Sequence, residues 1–138
     1  MADQLTALGI AKWIGDGVAA ALTGVSPVGA ALVLAVVYFY SMYIFCSLTG
    51  HIVAFVGPFL EAGKVLGVPP LLLLALISYF STLCGCLTNY SSGPIVLYFG
   101  QKYSSAKKWF AVGFLVSFIH ISVWLTVGMA WWKILGWY

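Results

Sequence analysis

Charged residues are scarce in this sequence. Of its 138 residues only 7% are charged, as three acids and six lysines, and arginine is absent. A soluble domain carries about 25% charged residues, so this chain has too few to cover a surface that faces water. The hydrophobic share is 63% and the mean hydropathy is +1.07. The composition therefore predicts an all-α integral membrane protein.

Several function classes are excluded by what is missing. The lysines are thinly spread, whereas nucleic-acid binding needs a dense basic face. Cys84 and Cys86 have no second cysteine pair to complete a zinc site, and with Cys46 they are predicted to be small buried thiols. No carboxylate pair, metal-ligand set or base beside a nucleophile is evident. We therefore expect no enzyme activity, no metal and no cofactor.

Apolar runs divide the chain into candidate helices. Residues 28–45 form an apolar run of about 27 Å as a helix, which is roughly one hydrocarbon thickness. A polar loop with Gly and Pro follows at 61–70. We predict a helix over 4–22, interrupted apolar segments over 28–62 and 70–101, and a last transmembrane helix over 110–132.

The orientation of the last span follows from its flanking charges. Lys102, Lys107 and Lys108 precede it, whereas Lys133 follows it in the aromatic segment WWKILGWY. Loops rich in lysine face the cytoplasm, and tryptophan and tyrosine are enriched at membrane interfaces. We expect the loop before the span to be cytoplasmic and the C-terminus to face outside.

Two apolar segments are each interrupted by hydroxyl and glycine residues. The interruptions are SLTGH at 47–51 and TNYSSGP at 88–94. Irregular backbone at membrane depth is tolerated where it is buried or lines a wet cavity, and such interruptions indicate a transporter's binding site. A helix is expected to begin near Gly50 or His51 and another at Pro94. Because free N–H groups at helix starts bind anions, we predict a carboxylate or phosphate site.

The candidate substrate-binding residues come from both interruptions. They offer donors without a permanent positive charge, which suits a substrate that must also leave. Each hydroxyl also fits a bond to its own helix or to a neighbouring one. His51 equally fits a structural hydrogen bond, and His120 in the last span fits helix packing. The candidates are Ser47, Thr49, Gly50, His51, Thr88, Asn89, Ser91, Ser92 and Gly93.

The motifs around these residues resemble a known family. SLTGH, LTNYSSGPIVLYFG and WWKILGWY stand in the order typical of the divalent anion:sodium symporter superfamily, in its 2-oxoglutarate/malate and citrate/succinate translocator branch. The resemblance covers residues 1–138 and implies the C-terminal portion, the second inverted repeat of an elevator-type transporter. It implies that 28–62 is a re-entrant hairpin, that 70–101 is one discontinuous helix and that 110–132 is the C-terminal transmembrane helix.

The resemblance also implies a function. Members of this branch move di- and tricarboxylates such as 2-oxoglutarate, malate, succinate or citrate, by alternating access of a mobile domain against a fixed dimer scaffold. Carried over onto this sequence, the substrate contacts fall on Ser47, Thr49 and segment 91–93. The expected setting is a bacterial inner membrane or a plastid envelope. The complete protein is expected to be a homodimer.

Two departures from the family pattern shape the prediction. Sodium-coupled relatives carry Asn between the Ser and Thr of the tip, and a small polar residue four positions before that Ser. Leu48 and Tyr43 stand there in this sequence, which implies exchange of carboxylates without sodium coupling. Family members are several times longer, so residues 1–138 are expected to need a partner that supplies the first repeat. A channel piece or a non-transporting membrane subunit remain alternative functions.

Overall fold

The computed structural model describes residues 9–138, which form helices joined by short turns without any strand. The all-α architecture is thus confirmed for this range. Three segments are long and apolar enough to cross a membrane: Pro27–Ile44, Pro70–Leu87 and Ala106–Ile134. The helices are α1 (Ile10–Ala21), α2 (Pro27–Tyr40), α3 (Leu48–Val65), α4 (Pro70–Leu83), α5 (Gly93–Gly100), α6 (Ala106–Val123) and α7 (Met129–Ile134).

Helices α2 and α3 form an antiparallel hairpin. Near its open end, Leu34 of α2 lies beside Gly63 of α3. In the middle the rings of Tyr38 and Phe59 meet edge to face, 5.4 Å between centroids. A tight 3-10 turn at Ser41–Ile44 extends α2 and leads into the closed end. The start of α2 and the end of α3 therefore lie on the same side of the molecule, opposite the closed end.

Helix α4 packs against both arms of this hairpin. Its face toward them is apolar, and Phe80 meets Phe39 edge to face at 5.3 Å. One buried polar bridge crosses the interface: the Tyr38 hydroxyl lies 2.6 Å from the Ser81 Oγ. Because the Ser81 hydroxyl donates to the Ile77 carbonyl at 2.7 Å, its single hydrogen is used and Tyr38 is the donor. This bridge is fully satisfied, so it fixes the hairpin on α4 without leaving an unpaired hydroxyl.

Helix α1 lies along the outer side of α3. Gly15 permits the close approach, because a Cβ there would lie 3.1 Å from the Pro58 carbonyl oxygen. The part of the predicted 4–22 helix before residue 9 lies outside the described residues. Asp16 and Lys12 face a groove beside Glu61 of α3, so these charges gather on one side of the α1–α3 pair.

Some predicted boundaries are wrong. Residues 61–65, predicted as loop, continue α3, because Gly63 is buried against α2 and α4 and the chain turns only at Gly67, where φ is 69°. The two later helices begin at Leu48 and Gly93 instead of at 50–51 and 94, each directly after an extended serine. Cys46, predicted to be buried, is exposed.

The last span is one long segment with a wide π turn at Trp124–Gly128 between α6 and α7. In a regular helix residues eight apart point about 80° away from each other. One extra residue in a π turn reduces this offset to about 20°. Trp124 and Trp132 therefore face the same way, and both rings stack on Tyr79 of α4, at 4.1 and 5.9 Å.

At its other end the last span contacts the 3-10 turn Cys84–Leu87 that follows α4. Gly113 makes this contact possible, because a Cβ there would lie 2.6 Å from the Cys86 carbonyl oxygen and 3.3 Å from that of Leu87. Nearby, the hydroxyls of Tyr40 and Ser117 lie 3.0 Å apart and join α2 to α6. The small side chains around Cys86 thus serve close packing, as small residues do in membrane helices.

We expect Gly113→Ala to lower the free energy of unfolding by about 1–3 kcal/mol, the usual cost of overpacking. The added methyl meets backbone oxygens, which cannot rotate away. Unfolding of the detergent-solubilised chain by SDS measures the change. Gly57→Ala is the matched control, because its Cβ meets no atom within 4 Å and alanine favours helix there. Equal stability of the two variants would contradict the packing described here.

Candidate functional site

The two polar interruptions of the sequence meet in the structure. The backbone N–H of Leu48, at the start of α3, donates to the carbonyl oxygen of Ser91 at 2.8 Å. The Leu48 side chain approaches Gly85, where a Cβ would lie 3.8 Å from its methyl groups. The Tyr90 hydroxyl donates to the carbonyl of Tyr43 at 3.1 Å. Two segments separated by some forty residues in the sequence thus form one continuous polar region.

The first interruption is organised by its serine. Ser47 has an extended backbone with φ −151° and ψ 129°, and its Oγ accepts from the Gly50 N–H. This is the usual geometry of a helix N-cap. Ser47 and Thr49 are exposed and Gly50 is half-buried. The hydroxyl and the N–H of Thr49 therefore lie at the surface of this region, whereas the N–H groups of Leu48 and Gly50 are already bonded to Ser91 and Ser47.

His51 occupies a different environment, because its ring is completely buried. It packs against Tyr38, Phe45 and Phe55, with centroids 4.5, 5.3 and 5.6 Å away. Its Nε2 lies 2.7 Å from the Ser41 Oγ. Since the Ser41 hydroxyl donates to the Tyr38 carbonyl at 2.7 Å, it can only accept from His51, and Nε2 carries the proton.

In this conformation the polar contact of His51 is with Ser41 and not with the accessible surface. The Nδ1 atom faces aromatic rings and has no hydrogen-bond partner among the described residues. A protonated ring would place an N–H at Nδ1 without an acceptor, so this arrangement suits the neutral tautomer. The bond to Ser41 ties the end of α2 to the start of α3, close to Ser47.

The second interruption divides into a buried and an accessible part. Ser91 is 1% exposed, and its hydroxyl lies 2.8 Å from the Gly85 carbonyl and 3.3 Å from that of Thr88. Its side chain thus shapes the turn, while its own carbonyl receives the Leu48 N–H. Thr88 is fully buried, and its Oγ1 has no partner in the described part of the chain. Asn89 is half-buried.

Ser92 and Gly93 form the accessible part, at the start of α5. Ser92 is half-buried and extended, with φ −149°, and its side chain makes no capping bond within the described residues. Gly93 is exposed, and Pro94 lies in the first turn. The first N–H groups of a helix have no intrahelical acceptor. The hydroxyl of Ser92 and the N–H groups of Gly93 and Ile95 are thus available to an anion, since Pro94 has no N–H and that of Val96 donates to the Ser92 carbonyl.

The chemistry of this region follows from its lack of charge. None of the candidate residues carries a permanent charge, and the positive potential comes from the starts of α3 and α5. Hydroxyl and amide donors of this kind suit a carboxylate. The structure, over the residues it describes, contains no group of three His, Cys, Asp or Glu side chains that could hold a metal ion.

Sequence reasoning did not identify the residues that support the site. Ser41 links His51 to the backbone carbonyl of Tyr38, and the Tyr38 hydroxyl bonds separately to Ser81. Nothing in the sequence marks Ser41 as a partner of His51, because a spacing of ten positions does not match a helical period. The contact of Tyr90 with Tyr43 was also absent from the prediction, since it depends on how the two interruptions meet.

Comparison with known proteins identifies the class. The family described as the sodium:sulfate symporter transmembrane region matches residues 1–138, so the chain belongs to this family of integral membrane transporters. The resemblance to the divalent anion:sodium symporters is thereby confirmed. Members of this family are transporters, not enzymes.

The individual relatives carry more specific names. The chain is 40% identical to "Dicarboxylate transporter 2, chloroplastic" of Spinacia oleracea, over 100% of this chain and 25% of the relative. It is 40% identical to "Putative malate transporter YflS" of Bacillus subtilis, over 99% and 28%. It is 34% identical to "Citrate/succinate antiporter" of Escherichia coli, over 99% and 28%. The chain thus spans about a quarter of the length of these relatives. The relatives are chloroplast and bacterial proteins, which agrees with the plastid or bacterial membrane expected from the sequence.

We expect Ser41→Ala to lower the free energy of unfolding by about 1–3 kcal/mol, because it leaves the buried Nε2–H of His51 without an acceptor. Unfolding of the solubilised chain measures the change, and the rate of maleimide labelling at exposed Cys46 reports on the nearby tip. Ser122→Ala, at an exposed position of α6, is the control and should leave both unchanged. Identical behaviour of the two variants would contradict a supporting role for Ser41.

Proposed function

We propose that this chain provides half of the substrate site of a di- or tricarboxylate carrier. The substrate class is that of 2-oxoglutarate, malate, succinate and citrate, and the mode is exchange. The observation that supports the proposal most strongly is the 2.8 Å bond from the Leu48 N–H to the Ser91 carbonyl. It joins two helix starts into one neutral, donor-rich region that suits carboxylates. The names of the relatives point to the same substrates.

The accessible groups are the proposed substrate contacts. These are the hydroxyls of Thr49 and Ser92 and the backbone around Gly50 and Gly93. Ser47 presents its N-cap geometry at the same surface. Of the remaining candidates, His51, Thr88 and Ser91 are buried and hold these groups in position, whereas Asn89 is half-buried, as Ser92 is, and stays a candidate contact.

The proposed mechanism is alternating access of the elevator type. In it, α2 and α3 form a re-entrant hairpin, α4 and α5 form one discontinuous helix, and the chain acts as the second of two inverted repeats. The antiparallel hairpin and the interruption at 88–92 support this arrangement. The first repeat would supply the opposing tip, and the complete carrier would be a homodimer.

Exchange without sodium coupling is part of the proposal. Leu48 is apolar and its side chain packs toward Gly85, so it offers no oxygen to a cation. Tyr43 stacks on Tyr40 at 6.4 Å, and its carbonyl already accepts from Tyr90. Sodium prefers several oxygen ligands, as hard cations do, and these two positions do not supply them.

A chimera tests the function. Residues 1–138 replace the matching segment of the Escherichia coli citrate/succinate antiporter, and citrate–succinate exchange is measured in proteoliposomes. We expect Thr49→Ala and Ser92→Ala each to weaken apparent substrate affinity about tenfold or more, because a hydrogen bond to a charged group contributes about 1.5–3 kcal/mol. Ser122→Ala should behave like the parent chimera.

The ion dependence uses the same preparation. Exchange should persist when choline replaces sodium. Exchange that collapses without sodium would contradict the coupling proposal alone. If Thr49→Ala and Ser92→Ala keep the parent's substrate affinity, as Ser122→Ala is expected to do, the proposed contacts are contradicted. Currents that exceed carrier turnover would favour a channel instead.

A further inference from the structure

A pocket outside the candidate site lies between the last span and the turn that follows α4. It has a volume of about 430 Å³, within the usual range for ligand pockets. Ser104 and Lys108 lie at the basic end of its wall, beside Trp109. Its remaining lining is apolar or small and comes from α6 and from Cys86. The pocket thus combines a polar, positively charged end with a hydrophobic wall.

The charges around this pocket are not balanced within the described residues. Lys102, Lys107 and Lys108 lie within seven positions of each other, and no acidic residue follows Glu61 in the sequence. In the described range the side-chain carboxylates are those of Asp16 and Glu61, and both line the separate groove between α1 and α3. No carboxylate of the described residues therefore lies against the three lysines, which leaves them available to an anion from outside the chain.

The position of the pocket on the long last segment indicates the source. Lys108 lies in the first turn of α6, where the 29-residue apolar segment Ala106–Ile134 begins. This end of a membrane-spanning segment lies at the level of lipid headgroups. Trp109, which meets Phe99 edge to face at 5.9 Å, suits the same level. Below it, Val112 and Val116 continue the wall at the depth of acyl chains.

We propose that this pocket binds one anionic phospholipid. The phosphate lies against the Lys108 ammonium and the Ser104 hydroxyl, and one acyl chain follows Val112 and Val116. Lys102 and Lys107 add attraction from the same loop. Basic pockets beside membrane helices on the positively charged side select anionic headgroups. A zwitterionic lipid fits the apolar wall equally well but gains no net attraction from the lysines.

Native mass spectrometry of the 138-residue chain tests this proposal. The chain is released from micelles that contain equal amounts of phosphatidylglycerol and phosphatidylcholine of identical acyl chains. We expect phosphatidylglycerol to be retained roughly fivefold over phosphatidylcholine for each lysine engaged. Lys108→Gln should lower this preference about fivefold, whereas Lys108→Arg should keep it. Lys133→Gln removes the same charge at the far end of the span and should also keep it.

A second measurement locates the lipid. Brominated phosphatidylglycerol in nanodiscs quenches nearby tryptophans, and Trp109→Phe should remove a large part of that quenching. Equal retention of both lipids by the parent chain would overturn the proposal. A preference for phosphatidylglycerol that Lys108→Gln and Lys133→Gln reduce by the same factor would also overturn it. Displacement of phosphatidylglycerol by inorganic phosphate would also overturn it, and would identify a site for a soluble anion.

Discussion

The hydrogen bond from the Leu48 N–H to the Ser91 carbonyl is the contact on which the candidate site depends. It joins the start of α3 to the turn before α5. A backbone bond of this kind is independent of side-chain identity, so Leu48 can replace a polar residue without separating the two segments. The positions of the accessible donors on either side follow from it.

A second constraint is the pairing of buried polar groups near this contact, to which His51 Nδ1 and Thr88 Oγ1 are the exceptions among the described residues. One chain of hydrogen bonds runs from His51 through Ser41 to the Tyr38 carbonyl, and another from the Tyr38 hydroxyl through Ser81 to Ile77. Unpaired polar groups at such depth are costly. Both chains end on backbone carbonyls and carry no charge; the first ties the two arms of the hairpin together, and the second holds the hairpin on α4. The site can then remain neutral and still bind an anion through oriented N–H groups.

The sequence predicted the features that depend on local pattern. Composition identified a helical membrane protein, and glycine and hydroxyl residues located both interruptions. The motif resemblance identified the family. The sequence did not predict that residues 61–65 stay helical, because the contact of Gly63 with α2 and α4 that stabilises this turn is a tertiary contact. It also did not separate Ser91 from Ser92, since adjacent serines differ only in the direction of their side chains. The full burial of Ser91 and the partial burial of Ser92 follow from how the two interruptions meet.

The central claim, that the two interruptions are held together by a backbone bond, is tested most directly by amide hydrogen exchange of the chain in nanodiscs. Leu48 and Thr49 are neighbours in the first turn of α3, where N–H groups have no intrahelical acceptor. Leu48 alone of the two donates to Ser91. The account predicts that the Leu48 amide exchanges at least tenfold more slowly than that of Thr49, an estimate based on about 1.4 kcal/mol per factor of ten. Equal exchange rates for the two amides would contradict it.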